Sequence, residues 1–157
     1  MSVQIATAEA MRDLAQHVVS RCHPGDVIVL VGDLGAGKTT FSQGVGRALG
    51  VQEQVTSPTF VIARVYSGAG GFDLVHVDAY RLASAVELDD LDLDADLAAS
   101  LTVIEWGEGK AEQLSSDRLH VLIERGDREG EDTRTVSFHG HGSRWSAAEV
   151  AALEPSW

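Results

Sequence analysis

Met11, Leu14, Ala15, Val18, Val19 and Cys22 recur at helical spacing, with Thr7 placed to cap the stripe and Pro24-Gly25 to close it. This predicts a helix over about residues 8 to 21. Val27 to Val31 is a five-residue β-branched run with no polar alternation, the pattern of a strand covered on both faces in a parallel sheet. Helical spacing returns from Lys38, with Phe41, Val45, Ala48 and Leu49 on one side and Gly50 where a terminating glycine belongs. Gly44 and Gly46 weaken that helix on propensity alone. Phe60 to Tyr66, Phe72 to Val77 and Leu101 to Trp106 read as strands, the first two antiparallel across the turn SGAGG at 67 to 71. Residues 84 to 98 read as short amphipathic helices, Leu119 to Glu124 and Arg134 to His139 as late strands, and Ser146 to Leu153 as a terminal helix. The alternation of strands and helices predicts an α/β chain, a single domain over residues 1 to 157.

Composition narrows the function. The 24 acidic residues against 12 basic ones give a formal charge of −12, which disfavours direct binding to nucleic-acid phosphates. One cysteine, Cys22, cannot form an internal disulfide, and the N-terminus lacks the pattern of a secretory signal, so a cytoplasmic protein is expected. The longest apolar run, five residues, is far below the roughly 20 that a spanning helix needs, and no membrane association is expected.

The chemistry concentrates at Gly32-Asp33-Leu34-Gly35-Ala36-Gly37-Lys38-Thr39, which satisfies G-x-x-x-x-G-K-[ST] between a buried strand and a helix. Glycines let the backbone curl its N–H groups around phosphate oxygens, and the helix adds the positive end of its dipole. Asp33, Leu34, Gly35, Ala36, Gly37, Lys38, Thr39 and Thr40 are therefore expected to hold the phosphates, with the Thr39 hydroxyl on Mg²⁺. Only Lys38 and Lys110 among the twelve basic residues are lysine, so a lysine at this position stands out in a chain that otherwise uses arginine. Such a site needs an acid at the end of a neighbouring strand, and two compete: Asp78, after Leu74 to Val77, and Glu105, after Leu101 to Ile104. Thr56-Ser57-Pro58-Thr59 offers hydroxyls for a switch segment, although spacing alone favours an ordinary strand entry. Trp106 reads as packing, His76 as a structural histidine, and His139 with His141 as too bare a pair for zinc. Six acids between Glu87 and Asp96 read as a solvated face.

GDLGAGKTTF at 32 to 41, VTSPTF at 55 to 60, HVDAYRL at 76 to 82 and IEWGE at 104 to 108 occur in an order and spacing that resembles the TsaE family, bacterial P-loop ATPases of the tRNA threonylcarbamoyladenosine pathway. The resemblance covers about residues 10 to 125. It implies a P-loop NTPase fold with a central mixed, mostly parallel sheet flanked by helices. It also implies ATP and Mg²⁺ as cofactors, ATP hydrolysis that is slow for the protein alone, and action with the TsaB and TsaD proteins at tRNA position 37. On that resemblance Lys38, Asp78 and Glu105 are the catalytic residues, Thr39 and Glu105 the metal ligands, and Ser57 and Thr59 belong to the switch segment. Met11 stands where the family usually has a nucleotide-holding threonine, and Gly107 where a proline commonly follows the tryptophan. The charge implies that tRNA is met only through the complex. A P-loop small-molecule kinase and a nucleotide-dependent regulatory module are the alternatives.

Overall fold

The computed structural model describes residues 2–33, 35–56, 63–69, 72–78, 97–106, 115–127, 130 and 132–156. Leu34, the segment with Ser57 and Thr59, residues 84 to 96 of the expected short helices, and Gly107 lie outside them. In chain order the elements are β1 (Ser2–Ile5), α1 (Ala8–Val19), β2 (Val27–Val31), α2 (Lys38–Ala48), β3 (Ala63–Tyr66), β4 (Asp73–Asp78), β5 (Ser100–Glu105), β6 (Arg118–Arg125), β7 (Arg134–His141) and α3 (Ala147–Ala151).

The strands form one seven-stranded sheet in the order β1-β7-β6-β2-β5-β4-β3. At its centre β2 runs parallel to both β5 and β6, and β4 runs parallel to β5. β7 and β3 run against them at the two sides, and β1, antiparallel to β7, returns to the majority direction. The mixed sheet that the resemblance implies is thus present, with five of its seven strands running in one direction. The unbroken apolar run of β2 has its reason in this position: Ile28 and Leu30 join the core under α1 and α2, while Val27 and Val29 pack on the opposite face with Val75, Val77 and Ile104.

Helix α1 begins where its cap predicts, with Thr7 Oγ1 accepting from Ala10 N at 3.0 Å, and ends at Val19, two residues before the expected stop. Helix α3 is shorter than its apolar pattern suggested, though Ser146 caps it. Strand β1 was not anticipated. Its four residues bury only Ile5 at the edge of the sheet, so the Val3/Ile5 alternation is too short to register as a period.

The glycines of α2 have a packing role. A methyl group built on Gly44 would stand 2.6 Å from Arg12 O and 2.7 Å from Ala15 Cβ, because α1 crosses α2 in close contact there. Alanine would gain roughly 1 kcal/mol of helix propensity. Overpacking against backbone costs typically about 1–3 kcal/mol. Gly44→Ala is therefore expected to destabilise the protein and Gly44→Val to do so by more, both read as a lower midpoint in urea unfolding. A midpoint raised by alanine would show that α1 moves aside at little cost.

Candidate nucleotide site

The carboxyl ends of the parallel strands converge on the loop between β2 and α2. Gly32 lies against β6 so closely that a Cβ would come 2.5 Å from Ile123 O, which excludes any side chain at the start of the loop. Gly35 and Gly37 take φ of 78° and 117°, the left-handed region that L side chains avoid. Gly37 is also the N-cap of α2 and offers no side-chain cap, so the first amides of the helix remain available to an anion.

Lys38 turns back over this loop. Its Nζ donates to Gly32 O at 2.7 Å and to Asp33 O at 2.9 Å, and it lies 4.0 Å from the centre of the Trp106 ring. Burial lowers the pKa of the ammonium, an effect opposed by the charges of Glu105, Asp33 and Asp78. Three carboxylates thus act on the lysine's charge. Trp106 is the one non-glycine residue with positive φ among the described residues, at 60°. Holding that conformation costs on the order of 1–3 kcal/mol, and the bend it makes directly after β5 brings the indole to Lys38. The sequence suggested simple packing for this tryptophan, whereas the structure makes it a wall of the site.

Asp78 and Glu105 are register partners at the ends of β4 and β5. Leu74, His76 and Asp78 share one face of β4, and Leu101, Val103 and Glu105 the corresponding face of β5, the side that packs beneath α1 and α2. Glu105 is 2% exposed, and its Oε2 accepts from His76 Nε2 at 3.1 Å. Lys38, Thr39, Thr40, Glu105 and Trp106 together line a cleft of about 220 Å³. The structure thereby gathers the expected lysine, hydroxyls and acid into one place, with Asp78 close enough to act on the lysine's charge. Hydroxyl and carboxylate oxygens are the donor set that suits Mg²⁺, which takes one or two protein ligands and completes its shell with phosphate oxygens and water.

A second cavity, of about 440 Å³, opens on the other side of Gly35–Gly37, lined by Thr7, Met11, Thr40 and Arg134 among others. Arg134 Nε donates to Ala36 O at 3.0 Å, so β7 braces the glycine loop through this side chain. Nothing in the sequence around position 134 singles that arginine out, since its partner lies 98 residues away. Thr7, whose hydroxyl caps α1, and Met11 line the same cavity.

The family model described as threonylcarbamoyl adenosine biosynthesis protein TsaE matches residues 5–136. The chain belongs to the TsaE family. Among relatives named tRNA threonylcarbamoyladenosine biosynthesis protein TsaE, that of Streptomyces coelicolor is 50% identical over 91% of this chain and 99% of its own length. The Bacillus subtilis protein of the same name is 38% identical over 87% of this chain and 84% of its own. A crystal structure of Bacillus subtilis YdiB superposes with a TM-score of 0.78 at 32% identity, covering 98% of this chain and 93% of that one. The matched residues 5–136 of the TsaE family include the glycine loop, both strand-end acids, Thr7 and Arg134.

Proposed function

We propose that this chain is a Mg²⁺-dependent ATPase of the cytoplasm that serves threonylcarbamoyladenosine formation at tRNA position 37, working with TsaB and TsaD. Family membership supports the pathway. The observation that carries the chemistry is the placement of Lys38 on the glycine loop, facing the two strand-end acids. In this reading the amides of Gly35 to Thr40 and the Lys38 ammonium bind the phosphates, while the larger cavity beside Arg134 takes the nucleoside. Thr39 and Glu105 hold the metal, and Asp78 orients water from the adjacent strand end. Bound Mg²⁺ supplies neutralisation of charge on the outer phosphates. Trp106 and the β-sheet floor screen the lysine from solvent, which strengthens its attraction for phosphate.

The charge of −12 supports the reading that the partners supply the RNA contact. Phosphate release measured for the protein alone, with candidate acceptors, and with TsaB and TsaD tests the reading. Slow Mg²⁺-dependent release that rises with the two partners is expected, together with weak tRNA binding by the isolated chain at about 0.15 M salt. Release only into an added acceptor would make the protein a kinase, and nucleotide binding without release in any mixture would make it a regulator.

A further inference from the structure

His76 is fully buried in the middle of β4, in register with Arg64 of β3 and Val103 of β5. Its neighbours in the strand, Leu74, Val75 and Val77, show what that environment favours, since all are apolar and fully buried. An imidazole there must be desolvated, and its Nδ1 has no hydrogen-bond partner among the described residues. Its hydrogen bond is made by Nε2, to Oε2 of Glu105 at 3.1 Å. A carboxylate only accepts, so Nε2 carries the proton and donates. A leucine or valine would fill this place without an orphaned nitrogen, which leaves the contact with Glu105 as the reason for a histidine.

We infer that His76 is a positioning residue that fixes the Glu105 carboxylate by one oxygen and leaves Oε1 to face the nucleotide's metal. The inference rests on Glu105 being a metal ligand, as proposed above. Glu105 has three side-chain torsions, and among the described residues His76 is the side chain that hydrogen-bonds its carboxylate and restrains them. A ligand held by one oxygen loses little rotamer freedom when the other oxygen binds a cation. Such supporting partners typically change metal affinity about 10–100-fold when removed.

The test measures Mn²⁺, standing in for Mg²⁺, by paramagnetic resonance in the ADP complexes of wild type, His76→Leu, His76→Gln and Glu105→Gln, and ADP affinity without metal alongside. Gln reaches the position of Nε2 with an N–H donor, whereas Leu removes it. His76→Leu is expected to weaken Mn²⁺ binding about tenfold or more, to leave metal-free ADP affinity essentially unchanged, and to be largely rescued by Gln. Should the leucine variant fail to fold, His76→Asn, polar but too short to reach Glu105, is expected to show the same loss. Wild-type Mn²⁺ affinity in the Leu or Asn variant while Glu105→Gln loses it would overturn the inference and leave Glu105 as ligand. A Gln variant no better than Leu would overturn it as well. Wild-type affinity in Glu105→Gln would remove both the ligand assignment and the inference that depends on it.

Discussion

Lys38→Ala is expected to lose at least about a hundredfold in ATP affinity while keeping its fold. In the proposed function the ammonium would reach the phosphates from a position set by two loop carbonyls and the Trp106 ring. Hydrogen bonds to charged groups contribute about 1.5–3 kcal/mol each, and about 1.4 kcal/mol is tenfold in Kd, so losing two of them already exceeds the hundredfold. Loss of the lysine also leaves Glu105, Asp33 and Asp78 facing an anionic ligand without a compensating charge. The fold should survive, because the lysine serves the loop and contributes nothing to the apolar cluster under α1 and α2. Lys38→Arg should fail too, since a broad planar guanidinium replaces a compact charge in a place closed by Trp106. Titration calorimetry with ATP and thermal unfolding of the same samples check this. Unchanged affinity in the alanine variant would remove the P-loop reading.

The glycine loop was legible because its signal is contiguous: eight residues between a five-residue apolar strand and a helix need no knowledge of the rest of the chain. The two strand-end acids were legible for a similar reason, as each follows its own hydrophobic run. Their mutual register was not, because Asp78 opposite Glu105 depends on β4 lying beside β5 in the sheet. His76 illustrates the same limit. Read along β4 it is a buried polar residue on an alternating strand, and only the pairing of two strands shows the carboxylate 29 residues away. Gly44 looked like a weakness in α2 until α1 was seen to cross it, and Gly46 likewise meets Val55, where a Cβ would come 2.6 Å from a methyl. Arg134 and β1 share the remaining cause. Both act at the far edge of the sheet, where a short strand brings the N-terminus beside residues from the end of the chain, and no local pattern encodes that meeting.

Replacing Glu105 is expected to separate metal-dependent turnover from nucleotide binding. In the proposed role of metal ligand its carboxylate would hold the ion beside the phosphates, so hydrolysis should fall about a hundredfold or more, the magnitude of losing a preorganised electrostatic group. Nucleotide affinity without metal should hold or rise, because a negative charge near the phosphates has gone. The choice of substitution matters. Glu105→Ala leaves His76 with both ring nitrogens unpaired in a closed strand, and an unsatisfied buried donor costs about 1–3 kcal/mol, so some activity loss in that variant would be loss of fold. Glu105→Gln keeps an amide oxygen to accept from His76 and removes the charge. The glutamine variant should therefore retain a wild-type unfolding midpoint and still lose hydrolysis, whereas alanine should lose both. Asp78→Asn should lower turnover with less effect on the Mg²⁺ concentration needed, since Asp78 acts from the neighbouring strand end. Phosphate release against Mg²⁺ concentration for the three variants decides the matter. Normal hydrolysis by Glu105→Gln, with Mg²⁺ dependence lost only in Asp78→Asn, would exchange the roles of the two acids.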